Sequence, residues 1–252
     1  MRVKKLRSTV ILIAFGLCLL GLTGCQRTKK TDDSVKNETA QTPEVTAEAT
    51  EIPNDADEIT ETPEVTKEAN ETIVSTYEPG TLSEEVYESK WLNLRFTPPE
   101  NVTLATKNQM DTAMNNSKEL LSGSISSELL DNAVQTSIYE MMAIQANGFP
   151  NVTVTVEDAP SIDMDTVQYF TILEKNLEDA NLGYTYGDIS EGEIAGQTYT
   201  TLNISIESNN TAVTQTFYLR RLEDKFVTII VNYTEDTKAD VDALMAGFSA
   251  LQ

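Results

Sequence analysis

The apolar positions of this chain fall into three regimes. From Val10 to Leu22 they form a nearly unbroken run. From 26 to 80 large apolar side chains are scattered without a period. From 81 to 252 they recur at the spacings of strands and helices.

Within the third regime, Leu92, Leu94 and Phe96 alternate with polar residues, which predicts a strand over Trp91-Leu92-Asn93-Leu94-Arg95-Phe96-Thr97. Pro98-Pro99 stops it, because proline cannot donate to a ladder. Thr106 with Gln109 three residues later makes a capping box, opening a helix with Met110, Ala113, Met114 and Leu121 along one side. The stretch from Gly123 to Asp131 reads as less regular. Ser137 to Ala146 and Val152 to Val156 read as a strand pair turned by Gly148-Phe149-Pro150. A second helix is expected near Asp165, boxed by Gln168. Its buried stripe is Tyr169 or Phe170, Leu173 and Leu177, and Gly183 is placed to end it.

Four strands then follow closely: Tyr184–Ile194, Gln197–Ser208, Ala212–Arg221 and Phe226–Tyr233. Their joints, Ala195-Gly196, Asn209-Asn210 and Glu223-Asp224, are short enough for hairpins, so neighbours should be antiparallel. Val241, Leu244, Met245, Phe248 and Leu251 lie at helical spacing and predict a terminal amphipathic helix. The expected fold class is α+β, an antiparallel sheet with helices packed on its faces.

The first regime is an export signal. Arg2, Lys4, Lys5 and Arg7 precede the apolar run, which is too short for a comfortable membrane span of about 20 residues. It ends in Leu22-Thr23-Gly24-Cys25, which resembles the lipobox of bacterial lipoproteins. The resemblance implies a diacylglycerol on the Cys25 thiol and cleavage just before it. The membrane is then a partner through that lipid, and the expected location is the outer face of the cytoplasmic membrane. A two-chain anchor of this kind holds a protein stably on a bilayer.

Residues 26–80 carry 14 Asp/Glu against five Lys/Arg, and Tyr77 is their one aromatic. Such a segment cannot offset its own ordering entropy, so a disordered linker is expected. Thr42-Pro43-Glu44-Val45-Thr46 recurs as Thr62-Pro63-Glu64-Val65-Thr66, a low-complexity duplication. The predicted organisation is therefore a signal peptide at 1–25, a linker at 26–80 and a domain at 81–252.

Composition removes several chemistries. Histidine is absent, which excludes Ser-His-Asp machinery and histidine-based zinc sites. Of two cysteines, Cys18 lies in the signal and Cys25 is the lipid site, leaving the domain no thiol nucleophile. The net charge is −22, and −26 once residues 1–25, with four basic and no acidic side chains, are removed. So acidic a chain repels nucleic acid.

The Trp-Leu-x-Leu-x-Phe strand entering Pro-Pro, the hairpin from Phe217 to Ile230 and the end Gly247-Phe248-Ser249-Ala250-Leu251 together resemble the PsbP-like fold, including DcrB-type bacterial lipoproteins. The resemblance covers nearly all of 87–252. It implies binding and assembly-support modules, mostly without enzyme activity, and it transfers no site residue or cofactor.

Candidate chemistry is sparse. Trp91, Tyr184 and Tyr186 are candidates to line a binding groove, with Tyr199 beside them; a sheet covered by helices would bury them instead. Glu157, Asp158, Asp163 and Asp165 cluster between a strand and a helix, where a hard cation or a solvated turn could account for them. The expected function is a non-enzymatic binding or assembly-support module for an envelope protein or small ligand, with no cofactor. The alternative is a surface hydrolase using paired carboxylates.

Overall fold

The computed structural model describes residues 76–122, 126–161, 163–208 and 211–251. The signal segment, Cys25 and the linker up to residue 75 lie outside the described residues.

Two sheets make the domain. The larger contains β4 (Val102–Leu104), β5 (Ser137–Gln145), β6 (Asn151–Asp158), β7 (Thr185–Tyr186), β8 (Ser190–Ile194), β9 (Gln197–Ser208), β10 (Thr211–Leu222) and β11 (Lys225–Thr234). Its order is β4-β5-β6-β11-β10-β9-β7, with β8 also on β9, and every pairing is antiparallel. The smaller sheet runs β1-β2-β3-β12, from Thr81–Leu82, Tyr87–Ser89, Leu94–Phe96 and Phe248–Ser249. Among the described residues four α-helices accompany the sheets, α1 (Lys107–Leu121), α2 (Ser127–Thr136), α3 (Thr166–Ala180) and α4 (Val241–Met245), with a 3-10 helix over Glu235–Asp240.

Register decides which side chains share a face. Phe217 pairs with Leu202 and with Ile230, and Leu219 with Thr228, so these residues point the same way. Helix α3 covers that face, packing Tyr169, Phe170, Leu173 and Leu177 against Leu202, Ile204, Phe217, Leu219, Phe226 and Ile230. Burying its four large side chains contributes on the order of 6–12 kcal/mol before entropy is counted. The opposite face presents Val152, Val154, Val156, Val227, Ile229 and Val231. The small sheet and α4 close over it with Leu92, Leu94, Phe96, Leu244 and Phe248. The result is three layers, with β6 and β11 buried on both sides.

Both capping boxes form as the sequence predicts, Thr106 with Gln109 and Asp165 with Gln168. The Ala195-Gly196 joint takes positive φ at both residues, 52° and 74°, the geometry a two-residue hairpin prefers.

Five expectations need correction. Helix α2 replaces the irregular reading from Ser127 onward; its interrupted apolar pattern hid it. Helix α3 ends at Asn181 (φ 52°) and not at Gly183, because asparagine also tolerates the left-handed region. The strand expected over Tyr184–Ile194 breaks into β7 and β8, with the Gly187 amide tied to the Asn203 carbonyl at 2.8 Å. The strand expected over Trp91–Thr97 shortens to Leu94–Phe96, since Lys90 to Asn93 form a turn with Asn93 at φ 50°. The terminal helix stops at Met245, and Phe248 joins β12 beside β3. A Cβ on Gly247 would lie 2.7 Å from the Thr97 carbonyl oxygen and 2.8 Å from the Phe96 ring. Glycine there lets the chain approach β3, and the helical spacing of Phe248 is coincidental.

Composition also places the linker boundary a few residues late. Thr76 to Gly80 lie against the domain: Thr76 donates through its amide and hydroxyl to Glu223, at 2.8 and 2.7 Å, and Tyr77 packs on the small-sheet core.

Candidate functional site

The site grows from a short strand. β4 pairs with only Ala143, Ile144 and Gln145 of β5 before the chain turns into α1. The Ala105 amide still reaches the Met142 carbonyl at 2.8 Å. Beyond that, Ser137 to Met141 have no strand partner on this side among the described pairings. The chain from Pro79 to Glu84 passes nearby without pairing to β5. A cavity of about 580 Å³ remains between these elements. Leu82, Leu104, Ala105, Met110, Ile138 and Tyr139 give it an apolar lining, and Glu84 and Lys107 also border it. Ile138 is 42% exposed; among the described residues only Val167 is a comparably exposed large apolar side chain.

Glu140 builds one wall. It sits where the β5–β6 register shifts between Tyr139 and Met141, and it is 7% exposed. Its Oε1 accepts the Tyr77 hydroxyl. Its Oε2 accepts the Gly80 amide at 2.7 Å and the Tyr87 hydroxyl at 2.8 Å. Burial first, and Glu140 next, push both tyrosines far above their ordinary ionisation range, so they remain donors. Gly80 is required by space: a Cβ would lie 2.5 Å from the Tyr87 ring and 2.6 Å from Glu140 Oε2. The segment Thr76 to Gly80 is thus strapped to the core by carboxyl groups at both ends.

A second cavity, about 620 Å³, lies beside the same strap and shares Pro79 with the first. Trp91 lines it with Glu78, Thr81, Glu88, Lys90, Asn93 and Leu251. Tyr77 meets the Trp91 ring edge-on, with centroids 5.0 Å apart at 85°.

The aromatic residues singled out in the sequence do not form one groove. Trp91 belongs to the small-sheet side. Tyr184 and Tyr186 pack against the α3 side, on the other face of the large sheet. Burial, with Glu178 and Glu174 nearby, pushes the Tyr186 hydroxyl up to about 12. Tyr199 is buried in the small-sheet core, 6.4 Å from Tyr218.

The acidic cluster disperses too. Glu157 is 3% exposed under α3, where the Tyr169 hydroxyl bonds it while its Oε1 has no partner. Asp158 pairs with Lys225 at 2.5 Å. Asp165 caps α3, and Asp163 is exposed. Among the described residues, no three acidic side chains converge as a metal-ion site.

Sequence reasoning missed Tyr77, Ile138 and Glu140. Glu140 left one trace, a carboxyl interrupting the apolar run Ile138-Tyr139-Glu140-Met141-Met142.

No known protein family's profile matches the chain, and no curated protein sequence matches it. Solved structures similar to it include a cyanobacterial PsbP, CyanoP from Synechocystis: 15% identity, 71% of this chain, 99% of that one, TM-score 0.39. They include LpqN, involved in cell envelope biogenesis of Mycobacterium tuberculosis: 12% identity, 63% of this chain, 83% of that one, TM-score 0.37. A protein of Bacteroides thetaiotaomicron has 7% identity over 68% of this chain and 50% of its own, with TM-score 0.35.

Proposed function

We propose that this chain is a non-enzymatic binding module, lipid-tethered through Cys25 to the outer face of the cytoplasmic membrane. In this reading the cavity beside Ile138 takes an apolar group of an envelope protein or small ligand. The cavity is the observation that carries the reading. Its volume lies within the roughly 300–1,000 Å³ of ligand pockets, and its lining is mostly apolar. The oxygens of Glu140, the carboxyl on its wall, are engaged by three donors of the protein itself, an arrangement suited to holding shape. The basic start, apolar run and Leu22-Thr23-Gly24-Cys25 box support the tether. An acidic surface discourages contact with anionic headgroups, which leaves the lipid as the membrane contact.

The binding test uses the mature chain, residues 26–252, produced without the signal segment, and the apolar fluorophore N-phenyl-1-naphthylamine. Saturable binding is expected, and Ile138→Asp should weaken it at least tenfold, about 1.4 kcal/mol. Val167→Asp alters the other large apolar side chain exposed among the described residues, one that does not line the cavity, and should leave binding unchanged. Absence of saturable binding, or equal losses in the two variants, would remove the reading.

The tether has its own test. Cys25→Ala should accumulate as unprocessed precursor and take up no labelled fatty acid. Normal maturation and labelling of that variant would refute lipidation at this position.

A further inference from the structure

The second cavity differs from the first in chemistry. Its one aromatic, Trp91, is the only tryptophan in the chain. Around it stand two carboxylates, a lysine, an amide and a hydroxyl: Glu78, Glu88, Lys90, Asn93 and Thr81. A flat apolar surface ringed by short-range hydrogen-bonding groups complements an amphipathic ligand with one C–H face and a polar rim. A pyranose ring has that form. A purely apolar ligand would leave the polar ring unsatisfied, which costs affinity.

The platform is held in place before any ligand arrives. The Asn93 amide closes the turn on the Lys90 carbonyl at 3.1 Å. Gln197 Nε2, from β9, donates to the carbonyls of Leu92 at 2.9 Å and Asn93 at 3.1 Å. Leu92 anchors the turn in the core, and the Tyr77 ring packs at right angles to the indole. Preorganisation of this kind lowers the ordering entropy that binding must overcome.

Charge narrows the class further. Glu88 is paired with Arg95 at 2.9 Å, whereas Glu78 is exposed. Nine Lys/Arg against 26 Asp/Glu give residues 81–252 a net charge of −17. A glycan carrying carboxylates or phosphates would be repelled. We infer that the cavity over Trp91 is a saccharide site for an uncharged pyranose unit, with the sugar's C–H face on the indole and its hydroxyls on Glu78 and Asn93.

Trp91, Glu78 and Asn93, the residues assigned to the sugar, do not line the apolar cavity, so the two readings are tested independently. The single tryptophan makes the measurement direct. The mature chain, residues 26–252, is titrated with N-acetylglucosamine tetramer and with cellotetraose while Trp91 emission is followed. A saturable change is expected with at least one of them and none with a galacturonic acid tetramer. Calorimetry should show at least a tenfold loss in Trp91→Ala and partial retention in Trp91→Phe. Glu78→Ala, which touches only an exposed side chain, should weaken binding about threefold to tenfold without altering the fold. No saturable response to either neutral oligosaccharide overturns the assignment. So does undiminished binding in Trp91→Ala and Glu78→Ala, or saturation by an oligolysine peptide in place of the sugars. Naphthylamine binding persisting through any of these results would leave the apolar cavity standing.

Discussion

Glu157→Gln is expected to leave stability unchanged near pH 4 and to raise it by about 3 kcal/mol at pH 7. Glu157 lies on β6 in the face covered by α3, opposite Ser137 on one side and Phe226 on the other. Burial pushes its carboxyl up to about 8; Asp158 adds to the rise, and the Tyr169 hydroxyl from α3 opposes it. Two cations lie on β11 and β10 beyond it and both are engaged elsewhere: Lys225 pairs with Asp158, and the Arg221 guanidinium rests 5.9 Å over the Phe226 ring and donates to the Met164 carbonyl. In the unfolded chain the group titrates near its ordinary 4.5. The folded form therefore binds the proton more tightly. The protonated carboxyl contributes its full stability below pH 4.5, and that contribution is lost as pH rises through about 8. Each pH unit in that window removes about 1.4 kcal/mol. Glutamine keeps an acceptor for Tyr169 and does not titrate. Urea unfolding of both proteins between pH 4 and pH 8 isolates the effect, since every other carboxyl is shared. A difference that stays constant across the range would show that Glu157 does not titrate as its burial demands.

Glu140→Ala should destabilise the domain by about 3–5 kcal/mol. The substitution strands three donors at once: the hydroxyls of Tyr77 and Tyr87 and the amide of Gly80. Tyr87 is fully buried, so water cannot replace the lost acceptor without opening the small-sheet core. A buried unpaired donor costs about 1–3 kcal/mol, and the fraction of the loss recovered depends on how far the strap lifts away. Lifting would also remove Pro79 and Gly80 from the wall of the first cavity. Denaturant unfolding gives the stability, and naphthylamine titration gives the cavity. Glu140→Gln should lose less, because its oxygen still serves some of the donors while its amide nitrogen faces another. Equal and small losses in both variants would mean that the strap is held by packing alone.

The residues that announced themselves did so through local chemistry. The boxes at Thr106 and Asp165 form because cap, third residue and backbone amide lie within one turn. Ala195-Gly196 closes its hairpin for a comparably local reason. The alternation of Val152, Val154 and Val156 fixed a buried face because strand side chains repeat every second residue. What stayed hidden depended on partners far along the chain. Phe248 fits a helical stripe until Gly247 brings it against Phe96. Trp91, Tyr184 and Tyr186 look like one aromatic group until strand order sends them to opposite sides of the large sheet. Tyr77 belongs by composition to the linker and by contact to Glu140, 63 positions later. The first cavity arises where β4 stops short along β5, and no single stretch of sequence encodes that ending.

The strap has a mechanical consequence. A pull on the N-terminal side of Thr76 loads its two hydrogen bonds to Glu223 before it reaches any strand. The Tyr77 hydroxyl and the Gly80 amide come next in the load path, and only then the two-residue pairing of β1 with β2. Those attachments would be drawn off one after another, as a zipper opens, whereas the long ladders of β9, β10 and β11 share force among many bonds at once. Under such a pull the five residues at the domain's entrance would yield first, like a fuse, and would reshape the rim of both cavities while the sheet behind them stays whole.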